Sequence, residues 1–142
     1  MTNLLTLDIV TQEKRLLTIE TPRVTVDTVE GEITLLPNHV PLLTRLTEGL
    51  LRYDDEKGNE EVIAIFGGFL EIDTDNKVTV LADAAVRAGD IDLAKVELAR
   101  KEAEATLQDK TKEQEFALAE AALKKTWLEL KAVKAKPRHS QS

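Results

Sequence analysis

Apolar and polar residues alternate with period two through several stretches of the first 88 residues. Leu5, Leu7 and Ile9 fall on one face; Val24 and Val26 alternate with Arg23, Thr25 and Asp27; Val78 and Val80 alternate with Lys77 and Thr79. Period two is the signature of a half-buried strand. One run differs: Glu61-Val62-Ile63-Ala64-Ile65-Phe66 is nearly continuous in apolar residues, as expected of a strand buried on both faces. Turn signals at Asp54-Asp55-Glu56-Lys57-Gly58-Asn59 and Asp73-Thr74-Asp75-Asn76 separate the runs. Short strands at such spacing predict an antiparallel β-sandwich or flattened barrel over residues 1–88.

The period changes near residue 89. Gly falls at 31, 49, 58, 67, 68 and 89 and then not again, and Val96 and Val133 are the β-branched apolar residues after Ile91. Asp90 is a candidate N-cap for a helix over about 91–106, with Ile91, Ala94, Leu98 and Ala105 near one face. Thr111-Lys112-Glu113-Gln114 has the spacing of a capping box and starts a second helix. Phe116, Ala119, Leu123, Trp127 and Leu130 then form an apolar stripe. The short link from Leu107 to Lys110 makes the helices an antiparallel hairpin over residues 89–136, with a fraying tail at 137–142. An alanine-rich pair buries little area, so the hairpin is a detachable element that must lean on the β domain or on another subunit.

Composition narrows the chemistry. The chain has 142 residues, no cysteine, 42% hydrophobic and only 4% aromatic content, which makes the core aliphatic and excludes disulfides and thiolate metal sites. A net charge of −7 argues against general nucleic-acid binding. The charge is uneven: residues 1–88 carry net −8, whereas residues 123–142 carry net +5, including Lys124, Lys125, Lys131 and Lys134. A basic tip on an acidic body either meets an acidic partner or is a solvated helix end favoured by the macrodipole. No run reaches the length of a membrane span, and the N-terminus lacks the charged and apolar regions of a signal peptide.

Catalytic and metal chemistry find little to work with. The serines are Ser140 and Ser142, and the histidines are His39 and the tail residue His139. No nucleophile–base–orienter set can be assembled from them. Asp73-Thr74-Asp75-Asn76 has the opening spacing of a calcium loop but lacks its Gly and closing Glu, so a hairpin turn is expected. Phe66-Gly67-Gly68-Phe69 is no phosphate loop; its glycines point to a bulge or a close backbone approach. No catalytic residue, metal site or cofactor is assigned.

The most shaped segment is Gly31-Glu32-Ile33-Thr34-Leu35-Leu36-Pro37-Asn38-His39-Val40-Pro41-Leu42-Leu43-Thr44. Pro37 and Pro41 fix their own φ and push the preceding residues out of the helical region. The result is a rigid loop on a β scaffold, a surface that meets something. This segment, with Gly67-Gly68-Phe69-Leu70-Glu71, the run Val78 to Asp83, and Arg87-Ala88-Gly89-Asp90-Ile91-Asp92, resembles the epsilon subunit family of F-type ATP synthases along essentially the whole chain.

The resemblance implies a non-catalytic central-stalk subunit of a proton- or sodium-driven ATP synthase. Its partners would be the gamma subunit, the c-subunit ring and, through extended helices, the alpha/beta catalytic head. Glu32 would face the c ring. Pro37, Asn38, His39 and Pro41 would form the rotor contact loop, and the lysines at 124, 125, 131 and 134 an inhibitory tip that restrains ATP hydrolysis. The protein would be peripheral, on the cytoplasmic or stromal side of a cell or thylakoid membrane, without inserting into the bilayer. Some members bind ATP through an Ile/Leu-Asp-x-x-Arg-Ala motif. Here Ile91, Asp92 and Lys95 stand at its first, second and fifth positions, but Lys lacks the planar fork of Arg and Val96 replaces Ala, which argues against ATP. The rival reading is a stand-alone β-sandwich binding module whose hairpin dimerises it through residues 116–130.

Overall fold

The computed structural model describes residues 4–108 and 113–135, the side chains of 108 and 113–116 excepted. The Thr111 capping box, most of the interhelical link, the packing of Phe116, and the 137–142 tail with His139 lie outside the described residues. Among the described residues, eight strands precede two helices: β1 Leu5–Val10, β2 Arg15–Thr21, β3 Val24–Thr28, β4 Gly31–Leu35, β5 Leu42–Asp54, β6 Glu60–Ile72, β7 Lys77–Ala82 and β8 Ala85–Arg87, then α1 Leu93–Gln108 and α2 Glu113–Ala135. This is the expected order of a β domain followed by a helical pair.

The strands form one sheet in the order β2-β1-β7-β6-β5-β3-β4, with β8 beside β6. Two details differ from a purely antiparallel, closed sandwich. β1 pairs with β7 in parallel, Leu7 opposite Val78 and Ile9 opposite Val80. The path also does not close, and β2 and β4 stand at its ends. The sheet bends around its main aliphatic core, in which Leu5, Leu7, Ile9, Val24, Val26, Leu51, Ile63, Ile65, Leu70, Val78 and Val80 are all at most 1% exposed. The period-two positions read from the sequence are thus the core face.

The bend is made where β6 changes neighbours. Gly68–Ile72 pair with β7, whereas Ile63–Ile65 pair with β8. Gly67 and Gly68 sit at the changeover with φ of 86° and 133°, and a Cβ on Gly68 would collide with the Leu81 carbonyl oxygen. Only glycine meets both demands, left-handed backbone and close approach. A second irregularity, where β3 meets β5, is closed by Asp27, whose carboxylate accepts the Leu50 N–H at 2.9 Å over the bare Cα of Gly49.

The double-faced run in β6 has a double-faced fate. Ile63 and Ile65 enter the main core, while Val62 and Ala64 belong to a second cluster on the outer face with Leu50, Ala88, Leu128 and Ala132. The second face is therefore covered by α2. Helix details depart from the sequence reading. Residues 88–90 form a single 3-10 turn, and Asp92 rather than Asp90 caps α1, accepting N–H groups from Ala94 at 3.0 Å and Lys95 at 3.4 Å. The expected apolar stripes are also rotated. Val96 and Ala103 are buried in α1 while Leu98 is 58% exposed; in α2 Ala119 of the expected stripe is buried, but so are Thr126, Leu128 and Ala132 outside it, while Trp127 is 62% exposed. Among these, Ala103, Ala119, Thr126 and Ala132 are small, and Leu128 is the large apolar residue of α2 that enters the seat on the sheet.

Candidate functional site

The loop after β4 is built as the prolines require. Leu36-Pro37-Asn38-His39 closes with His39 N–H donating to Leu36 O at 3.1 Å. Asn38 has φ of 70°, the left-handed conformation a type II turn needs after Pro. Its N–H donates to the Asn76 side-chain oxygen at 2.6 Å, which ties the loop to the β6–β7 turn. His39 Nδ1 lies 2.7 Å from Val40 O; a carbonyl only accepts, so Nδ1 carries the hydrogen. The ring is thereby used to shape the loop. Beside the exposed Asn38, the loop offers apolar surface outward: Leu36 is 53% and Val40 71% exposed.

Glu32 is exposed but belongs elsewhere. It stands near the start of β4, opposite Asp27, with roughly 13 Å of strand between it and Leu36 at about 3.3 Å per residue. Glu32 and the loop therefore mark two ends of one edge strand rather than one pocket.

A further surface was not legible as a site in the sequence. On the outer face, Arg45, Phe69 and Leu81 lie side by side across β5, β6 and β7, and Leu43 lies in the next row of the same face. Leu43, Phe69 and Leu81 are 67%, 49% and 55% exposed. The available signal was an apolar residue in the polar phase of an alternating strand: Phe69 beside buried Leu70, Leu81 beside buried Val80. Contiguous exposed apolar residues next to a rigid loop mark an interaction surface.

The hairpin occupies a different part of the outer face. Leu128 and Ala132 rest on Leu50, Val62, Ala64 and Ala88, with Phe66, Ile91 and Ala135 at the margin. Lys124, Lys125, Lys131 and Lys134 are all exposed, spread over about three turns of α2. Lys124 makes only a 3.9 Å ion pair with Glu120. Ile91, Asp92 and Lys95 do come together at the start of α1, but Ile91 packs at the margin of the hairpin seat, the Asp92 carboxylate holds the helix N-terminus and Lys95 is exposed.

Titration is perturbed away from these surfaces. At the far end of the β5–β6 hairpin, the hydrogen bond to Asp54 and the charge of Glu60 raise the Arg23 pKa. Burial raises that of Tyr53, and the Asn59 N–H lowers that of Asp55. Among the described residues no three His, Cys, Asp or Glu side chains gather as metal ligands, and no helix is long and apolar enough to cross a membrane.

A stiff β body with outward apolar residues, and a helical pair seated on it by a small cluster, defines a docking subunit of a larger assembly. The chain belongs to the ATP synthase delta/epsilon family: residues 4–88 match the beta-sandwich domain of the delta/epsilon chain, and residues 90–134 match its long alpha-helix domain. It is 43% identical over 130 residues to ATP synthase epsilon chain 2 of Ralstonia nicotianae, covering 92% of this chain and 93% of that one. It is 41% identical over 128 residues to the ATP synthase epsilon chain of Herpetosiphon aurantiacus, covering 90% and 93%. Its fold is similar to a chain of the Euglena gracilis mitochondrial ATP synthase OSCP/F1/c-ring structure (TM-score 0.68, 24% identity, 94% of this chain and 79% of that one). It is also similar to a chain of the Tetrahymena thermophila mitochondrial ATP synthase central stalk/c-ring structure (TM-score 0.60, 17% identity, 91% and 96%). The chain is an accessory part of ATP synthase, not its catalyst.

Proposed function

We propose that the chain is a rotor subunit of an ion-driven ATP synthase. Its β domain stands between the c ring and the gamma subunit and passes torque between them. Its hairpin, when it leaves the sheet, extends along gamma to the alpha/beta head and blocks ATP hydrolysis. The observation that carries this reading is the division of the apolar interior: the β core is complete without any helix residue, and α2 is held to the sheet through Leu128 and Ala132. A body that stays whole when its arm departs is what a rotor with a regulatory arm requires.

Within this reading, Glu32 meets polar loops of the c ring. The Pro37–Pro41 loop and the Leu43–Phe69–Leu81 face supply rotor contacts, and the four lysines meet an acidic segment of the head. The protein is peripheral, on the cytoplasmic or stromal side of the membrane. No nucleotide is included, because Asp92 already caps α1 and Lys95 offers no planar fork.

The test is ATP hydrolysis by a catalytic head depleted of its own epsilon subunit, with added full-length chain or residues 1–88. Full-length chain should inhibit, and 1–88 should bind without inhibiting. Reversing the charge of Lys124, Lys125, Lys131 and Lys134 together should relieve inhibition; undiminished inhibition would remove the electrostatic part of the reading.

A further inference from the structure

Between the exit of the proline loop and the β6–β7 turn lies a cleft of about 400 Å³, bounded by Pro41, Leu43, Glu71 and Asp73 among others. Its charged residues are both acidic and no cation lines it. Leu43 lies directly opposite Glu71 in the β5–β6 register, so an apolar wall and a carboxylate face the same space. Glu71 is exposed, and its carboxylate has no hydrogen-bond or ion-pair partner among the described residues. Asp73 is partly engaged: one oxygen accepts N–H groups from Asp75 at 2.8 Å and Lys77 at 3.0 Å.

The two walls come from segments far apart in sequence that pair in the β5–β6 ladder, and one residue adds a second tie between the loop and the turn at the end of the cleft. Asn76, itself left-handed at φ 63°, takes the Asn38 N–H on its side-chain oxygen at 2.6 Å. Its backbone oxygen takes the Thr6 N–H at 2.9 Å, which anchors the joint to β1. Left-handed backbone is tolerated best by Gly, Asn and Asp, and of these Asn and Asp also carry an acceptor for the loop.

We infer that this cleft receives an arginine or lysine side chain of the gamma subunit, with Glu71 as its counter-charge, and that Asn76 is the positioning residue that holds the proline loop, and with it Pro41, at the edge of the cleft. The inference rests on the rotor-contact reading above and adds the chemistry of the partner group. Such a side chain suits the site because its methylene stem packs on Pro41 and Leu43 while its charged head reaches the carboxylates. An aliphatic side chain would leave Glu71 desolvated and unpaired.

The experiment measures binding of the full-length chain to a gamma-containing stalk subcomplex across a range of salt concentrations. Glu71→Gln should weaken binding on the order of 10-fold at low salt and flatten the salt dependence. Glu56→Gln, in the turn at the other end of β5, should change nothing. Asn76→Gly keeps the backbone conformation but removes the acceptor. It should weaken binding and speed hydrogen exchange of the Asn38 amide, and Asn76→Asp should restore both. A Glu71→Gln variant that binds with the wild-type salt dependence overturns the cleft proposal alone. An Asn76→Gly variant whose Asn38 amide exchanges faster while binding is unchanged overturns the positioning role. A wild-type chain that fails to bind the subcomplex overturns the rotor reading, and this inference with it.

Discussion

Leu128→Ala tests how the hairpin is held. Leu128 is 8% exposed and sits in the cluster formed by Leu50, Val62, Ala64 and Ala88. Removing a buried leucine side chain costs about 2–5 kcal/mol, transfer and cavity together. The seat lies at an interface between two elements that can settle toward each other, so the low end applies, about 2–3 kcal/mol. That multiplies the undocked population by roughly 30- to 150-fold, at about 1.4 kcal/mol per factor of ten. The assay is native-state hydrogen exchange. Amides of α2 between Leu123 and Ala132 should exchange faster by that factor, whereas the amides of Leu5, Leu7 and Ile9 in β1 should not change. Ala132 is 0% exposed, and overpacking by Ala132→Leu should act in the same direction by about 1–3 kcal/mol. Equal acceleration in β1 and α2 would refute the reasoning, because hairpin and body would then open as one cooperative unit. No acceleration in α2 would refute it differently, by showing that the seat is not what holds the arm.

Four other positions carry sharp expectations. Gly68→Ala should cost about 3 kcal/mol or more in urea unfolding, whereas Gly31→Ala, at φ 115° with nothing within 4 Å, should cost only backbone strain of about 1–2 kcal/mol; equal costs would dismiss the close approach to Leu81 as the reason for glycine. Asp92→Ala should remove about 1 kcal/mol from α1, and Asp92→Asn most of that loss should be spared; equal thermal melts of the helical signal for Ala and Asn would deny the cap. The Asn59 and Lys57 N–H groups hold the Asp55 carboxyl below its ordinary value of 3.8. Its contribution to stability is therefore full above that ordinary value and is lost as pH falls through the lowered native one. Asp55→Asn should flatten that part of the acid limb, and an NMR titration that places Asp55 at or above its ordinary value would contradict the sign.

The β domain was legible because burial on one face of a strand writes itself as period two. The second face of β6 was legible too, since Val62 and Ala64 have no reason to be apolar unless something covers them. The proline loop announced its rigidity, and the structure adds where it is anchored. That anchor, Asn76, was hidden because it lies 38 residues from Asn38 and looks like ordinary turn chemistry. The helix faces were misjudged for a related reason. A stripe through Leu123, Trp127 and Leu130 scores well by hydrophobicity, but close packing against both α1 and the sheet selects size. Ala119, Thr126 and Ala132 lie inside beside Leu128, while Trp127 lies outside. Asp92 displaced Asp90 as the cap because the 3-10 turn at 88–90 delays the helix, which no periodicity reports.

The same size selection sets the energy scale of the proposed switch. A fully buried leucine contributes about 1.5–3 kcal/mol, and a buried alanine methyl roughly 0.8 kcal/mol. Leu128 and Ala132 together thus hold α2 to the sheet by only a few kcal/mol, against a β core of more than a dozen fully buried aliphatic residues. Leaving the seat also exposes Leu50, Val62 and Ala64, which adds a similar amount unless another surface covers them or α2. A difference of that size is within reach of a ligand or partner that prefers one state, since about 5.5 kcal/mol carries a population from 1:99 to 99:1. A larger side chain at 132 would serve a permanent two-layer protein. Under the proposed function, the alanine there keeps the docked state favoured by only a few kcal/mol, the property an inhibitory arm needs.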